Sequence, residues 1–150
     1  PADLETFQEA VSAVCLKMAH AIVRDGEGAT QFVTVRVSGA ADNRQARTAA
    51  FAIADSNLVK TALFGRDPNW GRIVSAAGAS GVEVRPETLW VKLNGAETFG
   101  GGRAHPEGAK PLDGPEVEIE IDLGVADGTA TIWTSDLSYE YVRINAEYHT

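Results

Sequence analysis

Glu116-Val-Glu-Ile-Glu-Ile-Asp-Leu123 is the stretch that decides the fold. Val117, Ile119, Ile121 and Leu123 alternate with Glu116, Glu118, Glu120 and Asp122. A period of two with one apolar and one charged side is a strand that rests one face on a core and leaves the other in water. The carboxylates read as that wet face; a calcium-binding surface shares only their charge. Working outward, residues 129–134 form the predicted antiparallel partner, joined through Val125-Ala-Asp-Gly128. Residues 89–93 are a further strand candidate. Between them, residues 99–115 hold five glycines and three prolines in 17 positions, the composition of a loop.

The first half changes period. Leu4, Phe7, Val11, Val14, Cys15, Met18 and Ile22 recur at steps of three and four, which predicts a helix with Asp3 as N-cap and Gly26 as the stop. Gln31-Phe-Val-Thr-Val-Arg-Val-Ser38 returns to a period of two, with Val33, Val35 and Val37 on one face. Residues 42–54 are alanine-rich and opened by Asp42 or Asn43, a second helix built for close packing. A short third helix is predicted from Pro68, capped by Asp67. From Asp136 onward, Leu137, Tyr141, Ile144 and Tyr148 suit a helix, although Tyr-Glu-Tyr-Val-Arg-Ile also suits a strand. Helices mixed with mainly antiparallel strands predict an α+β class and one domain over residues 1–150.

Composition narrows the function. With 44% hydrophobic and 23% charged residues, the 150-residue chain has the make-up of a globular domain. A formal charge of −8 and no basic stripe argue against nucleic acid. The longest apolar run, residues 49–54, is too short to cross a bilayer, and no basic-then-apolar leader opens the sequence. The expectation is a cytoplasmic protein without a membrane segment. A single cysteine, Cys15, excludes an internal disulfide; on the apolar stripe it reads as a core thiol. No phosphate loop, paired-histidine zinc helix or Gly-x-Ser-x-Gly elbow occurs. His20, His105 and His149 are far apart in sequence, and His20 reads as a surface or dipole partner at a helix end.

Three segments stand out. In Arg24-Asp-Gly-Glu-Gly-Ala-Thr30, flanking glycines present Glu27 on a turn, either to hold a substrate ammonium group or as a solvated glutamate at a helix end. In residues 58–73, Asp67, Asn69, Trp70 and Arg72 crowd a predicted helix start. With Arg66 nearby, that start either receives an anion or is simply capped and packed. The third segment, residues 133–150, carries three tyrosines and reads as docked, with Asn145 able to donate to and accept from a small polar ligand.

Together, DGEGAT, LVKTALFGRDPNWGRI and DLSYEYVRINAEYHT resemble the ornithine acetyltransferase family (glutamate N-acetyltransferase, ArgJ type) along essentially the whole chain. The resemblance implies a sandwich-like N-terminal-nucleophile fold of the DmpA/ArgJ kind. It also implies a precursor that cleaves itself into α and β chains and exposes a threonine nucleophile. That threonine carries an acetyl group from N²-acetylornithine to glutamate; some members also use acetyl-CoA, and the residues here leave that choice open. No metal or organic cofactor is implied. Glu27, Asn145 and Thr150 match the family's substrate-binding glutamate, asparagine and terminal threonine. Lys60, Arg66, Asp67, Asn69, Trp70 and Arg72 belong to its signature and read as architectural. Gln31 stands where many relatives carry lysine.

Pro1 has no hydroxyl, so the expectation is that this chain is the C-terminal part of a β chain. Alone it is then inactive, and in the whole enzyme it joins the rest of the β chain and the α chain in an α2β2-type assembly. Two further readings stand beside this one. The region is a bracing or oligomerisation module of the β chain, or the fold serves an amide hydrolase.

Overall fold

Val33, Val35 and Val37 point their branched side chains to one side of a strand, β1 (Phe32–Ala40), and all three are buried. β1 lies inside the single sheet of a computed structural model that describes residues 2–148. The strand of alternating carboxylates, β5 (Glu116–Asp122), runs parallel to it, pairing Val33 with Val117, Val35 with Ile119 and Val37 with Ile121. On its other side β1 pairs antiparallel with β6 (Gly128–Ser135). The predicted β5–β6 hairpin is therefore corrected: β1 sits between the two. Alternation shows which face of a strand is buried but not which strand lies beside it. The parallel β1–β5 pair needs a long crossover, and residues 41–115 supply one.

That crossover begins with α2 (Asn43–Ala54), capped by Asp42, whose carboxylate accepts from Gln45 N at 2.7 Å. Ala46, Ala49, Ala50 and Ala54 are buried, and their small side chains let α2 lie close on β1 and β6. A helix absent from the sequence reading follows, α3 (Asn57–Phe64), capped by Ser56. The next, α4 (Trp70–Ala79), starts two residues later than expected, with Asn69 rather than Asp67 as cap; Asn69 Oδ1 accepts from Arg72 N at 3.1 Å.

Next come β2 (Trp90–Leu93) and β3 (Ala96–Gly100), joined by Asn94-Gly95. Both turn residues have positive φ, 48° and 77°, the signature of a tight type I′ hairpin. The expected loop at 99–115 thus begins inside a strand. It also contains β4 (Arg103–Ala104) and a 3-10 turn at Pro106–Gly108. The sheet order is β4-β3-β2-β5-β1-β6, antiparallel at every junction except β1–β5. The core is one layer: Val33, Val35, Val37, Val91, Leu93, Val117, Ile119, Ile121 and Ile132 on the sheet, with Ala46, Ala49, Ala50, Ile53, Ile73 and Ala77 on the helices. Among the described residues, five α-helices and this mixed sheet make the α+β fold the sequence predicts.

The N-terminal helix, α1 (Ala2–Arg24), forms as predicted, but its stripe is not in this core. Leu4, Val11, Val14, Met18 and Ile22 are exposed, and Phe7 is 65% exposed. Cys15 is exposed as well, which corrects its assignment as a core thiol. Asp3 lies in the first turn rather than at the cap. α1 meets the sheet near its end. The His20 ring wedges edge-on between Phe32 and Trp133, with centroids 5.1 and 4.7 Å away, so it is a packing residue and not a surface one. Arg24 lies over the Phe32 ring and pairs with Glu116 at 2.6 Å. Among the described residues, no helix is long and apolar enough to cross a membrane.

Candidate functional site

The chain following β6 resolves the helix-or-strand alternative as α5 (Tyr139–Glu147). Ser138 caps it, its Oγ accepting from Tyr141 N at 3.2 Å. The same hydroxyl donates to Gly28 O at 2.6 Å, which ties the start of α5 to the DGEGAT turn. Gly28 has φ +65°, and a Cβ there would lie 2.5 Å from Tyr141 N. Only glycine permits that approach. Further along α5, Asn145 Nδ2 donates to Glu27 Oε2 at 3.1 Å and to Tyr141 O at 2.9 Å. Glu27 and Asn145, 118 positions apart, are thus side by side, and both are exposed. Thr150 and His149 lie outside the described residues.

Asp136 completes this corner from beneath. It is 4% exposed, and its carboxylate accepts from Thr30 N at 2.8 Å, Gln31 N at 2.9 Å and Thr30 Oγ1 at 2.5 Å. A buried carboxylate is tolerable when donors satisfy it in this way. The sequence reading missed Asp136 and Ser138; a Ser three residues before the helical spacing settles was the available signal. Lys60, from the second segment, reaches the same place. Its ammonium donates to Ser135 O at 2.5 Å and Thr134 Oγ1 at 3.1 Å, and Leu137 N donates to Lys60 O at 3.2 Å. Burial pushes the Lys60 ammonium below its ordinary pKa, an effect opposed by the charges of Asp136 and Asp55. Phe64 meets Tyr139 edge-on at 5.3 Å. All three unusual segments therefore meet in one corner.

The remaining signature residues are engaged with the chain itself. Arg66 Nη1 donates to Gly114 O at 2.8 Å, and Gln31 Nε2 donates to Gly114 O and Leu112 O at 3.1 and 2.8 Å, so both hold the 112–114 loop. Arg72 Nη1 donates to Leu58 O at 2.8 Å and Thr61 Oγ1 at 3.3 Å. Both arginines thus donate to chain carbonyls, which favours the capped-and-packed alternative for this helix start. Trp70 stacks on Phe99 with centroids 4.5 Å apart. The tail is less docked than expected: α5 buries none of its residues, and Tyr139 is 83% exposed despite its contact with Phe64. α5 is braced instead by Arg143, which pairs with Glu140 and, at 3.1 Å, with Glu147. The guanidinium holds the Glu140 carboxyl below the usual range.

An open cleft of about 170 Å³ borders the DGEGAT turn, lined by Arg24, Ala29, Thr30, Gln31, Phe32 and Pro115. Among the described residues, no group of three or more histidine, cysteine, aspartate or glutamate side chains is arranged to hold a metal ion.

A carboxylate on a turn and an amide on a helix thus lie side by side at the surface, joined by one hydrogen bond. Residues 1–150 match the ArgJ family, and the chain belongs to it. It is 51% identical over 151 residues to the glutamate N-acetyltransferase of Methanopyrus kandleri, covering 96% of this chain and 39% of that protein. With the arginine biosynthesis bifunctional protein ArgJ of Zymomonas mobilis it shares 42% identity, covering 99% of this chain and 37% of the relative. The crystal structure of the arginine biosynthesis bifunctional protein ArgJ from Bacillus halodurans superposes with a TM-score of 0.91 at 40% identity, covering 97% of this chain and 71% of that one. The chain spans less than two fifths of the length of these two curated relatives.

Proposed function

We propose that this chain forms part of the substrate pocket of an acetyltransferase of arginine biosynthesis, which moves an acetyl group from N²-acetylornithine to glutamate. Membership of the ArgJ family supports the reaction class. The Glu27–Asn145 pair is the observation that carries the site. Donor and acceptor are both amino acids, so their pocket needs a carboxylate for an ammonium group and an amide for a polar oxygen or N–H. The pair supplies both where solvent can reach them, and Thr150 is assigned to the same pocket.

The acetyl carrier in this reading is a threonine hydroxyl on a segment outside these 150 residues, freed as an N-terminus by self-cleavage. The acetyl–nitrogen bond of N²-acetylornithine breaks as the threonine ester forms, and ornithine leaves with the proton. The glutamate amine then takes the acetyl group and the hydroxyl is restored. Glu27 and Asn145 orient the amino-acid ends so that the acetyl group lies within reach of that hydroxyl. The reading places the enzyme in the cytoplasm as an α2β2-type assembly with the rest of the β chain and the α chain. It uses no metal or organic cofactor, keeps acetyl-CoA as an alternative donor and engages no nucleic acid.

The test is Glu27→Ala in the complete self-cleaved enzyme. Loss of a charge-assisted contact is expected to lower acetyl transfer about 10- to 100-fold while fold and self-cleavage persist. Unchanged transfer would assign the region to bracing the β chain instead. Acetate release that proceeds equally without glutamate would make the protein an amide hydrolase.

A further inference from the structure

We propose that Asp136 is a positioning residue for the substrate pocket: it fixes the turn that carries Glu27 in register with the helix that carries Asn145. The proposal rests on the pocket reading above and goes one layer deeper. Between residues 28–31 and 136–138 the chain is joined by side chains reaching to backbone. Ser138 Oγ donates to Gly28 O at 2.6 Å, and Asp136 takes Thr30 N, Gln31 N and Thr30 Oγ1. Residue 28 and residues 30–31 are therefore both held, one position away from Glu27 and just beyond it.

The other end of the link is equally constrained. Ser138 begins α5, so any shift of Asp136 moves the helix start, and Asn145 moves with it. Contact between Glu27 and Asn145 is a single hydrogen bond at 3.1 Å between exposed side chains. Such a bond alone does not hold two long side chains in one geometry against solvent. The buried network beneath does, since its members are fixed by several bonds each. A carboxylate that is 4% exposed is also an expensive way merely to close a loop, because it must be desolvated. Its oxygens satisfy two consecutive amides and a hydroxyl, which fixes the direction of the chain leaving the Glu27 turn. Lys60, bonded to Ser135 O and receiving Leu137 N on its own carbonyl, locks the residues on either side of Asp136.

The experiment compares Asp136→Ala, Asp136→Asn and Glu27→Ala in the complete self-cleaved enzyme, with KM for N²-acetylornithine and for glutamate read separately from kcat. Asp136→Ala is expected to raise both KM values about tenfold or more, with self-cleavage and circular dichroism retained. Asp136→Asn keeps an oxygen for the two amides and the same shape, and is expected to return KM to within about threefold of the parent. A residue that only stabilised the fold would lower the active fraction, and with it apparent kcat, at unchanged KM; that result overturns the proposal. If Asp136→Ala does not fold, Thr30→Val and Ser138→Ala each remove one strut. A rise of KM in both supports the link, and unchanged KM in both overturns it. An effect of Glu27→Ala without any effect at Asp136 defeats positioning but leaves the pocket standing. No effect of Glu27→Ala defeats the pocket, and positioning falls with it.

Discussion

A methyl group on residue 28 would lie 2.5 Å from Tyr141 N and 2.9 Å from Ser138 Oγ, so Gly28→Ala forces either the turn or the helix start to move. The left-handed φ of +65° adds strain of about 1–3 kcal/mol. Gly81 separates the two effects, since its φ is +79° with nothing within 4 Å of an added Cβ. In urea unfolding, Gly28→Ala is expected to lose more stability than Gly81→Ala, and the difference measures the contact. Equal losses would mean that α5 yields without cost. Lys60 gives a test in pH. Its folded pKa is lowered, chiefly by burial, so above that value the unfolded chain binds the extra proton. Stability is therefore expected to rise with pH from the lowered value up to the ordinary 10.5, and to fall as pH drops through it. Lys60→Met removes that slope. Unfolding free energies of the two proteins from neutral to alkaline pH make the comparison, and parallel curves would contradict the assignment.

Among the elements, what the sequence made legible was periodicity, and what it concealed was adjacency. β1 and β5 were readable because valine and isoleucine alternate with polar residues, yet that pattern is the same whether β5 lies beside β6 or beside β1. Asn94-Gly95 was a readable hairpin signal, obscured by the run of glycines that follows it. α3 escaped because its eight residues are too short to show a repeat. In the site, Glu27 and Asn145 were visible as residue types, but their meeting depends on a helix that the spacing left open. Asp136 carried no pattern, because its partners are backbone amides 105 and 106 positions away. The α1 stripe makes the same point most sharply: a period of 3.6 names a face without naming what covers it. Phe7→Ser is therefore expected to change the stability of this 150-residue chain by less than about 0.5 kcal/mol. Ile119→Ala, in the buried centre of β5, is expected to cost about 2–5 kcal/mol by the same denaturation measurement. A large loss from Phe7→Ser would place α1 in the core after all.

Across the whole molecule, stability is graded from the sheet outward. β1 has a strand on each side and α2 laid across it, so its amides open only when the sheet does. α1 is the opposite case: residues 3–18 are exposed, and its grip on the sheet comes from His20, Arg24 and their aromatic and carboxylate partners. A helix of that length held at one end is marginal in water, because each helical turn must offset its own ordering entropy without help from packing. α5 lies between these extremes, secured at Ser138 and Asn145 but with no buried residue. Hydrogen exchange on the 150-residue chain is therefore expected to rank the segments in that order. Amides of β1 and β5 exchange slowest, near the global unfolding limit. Those of α5 come next, and those in the first two-thirds of α1 exchange fastest. Under the assembly proposed above, adding the rest of the β chain and the α chain is expected to raise protection in α1 and α5 but not in β1. Protection of α1 equal to that of β1 in the chain alone would contradict the gradient.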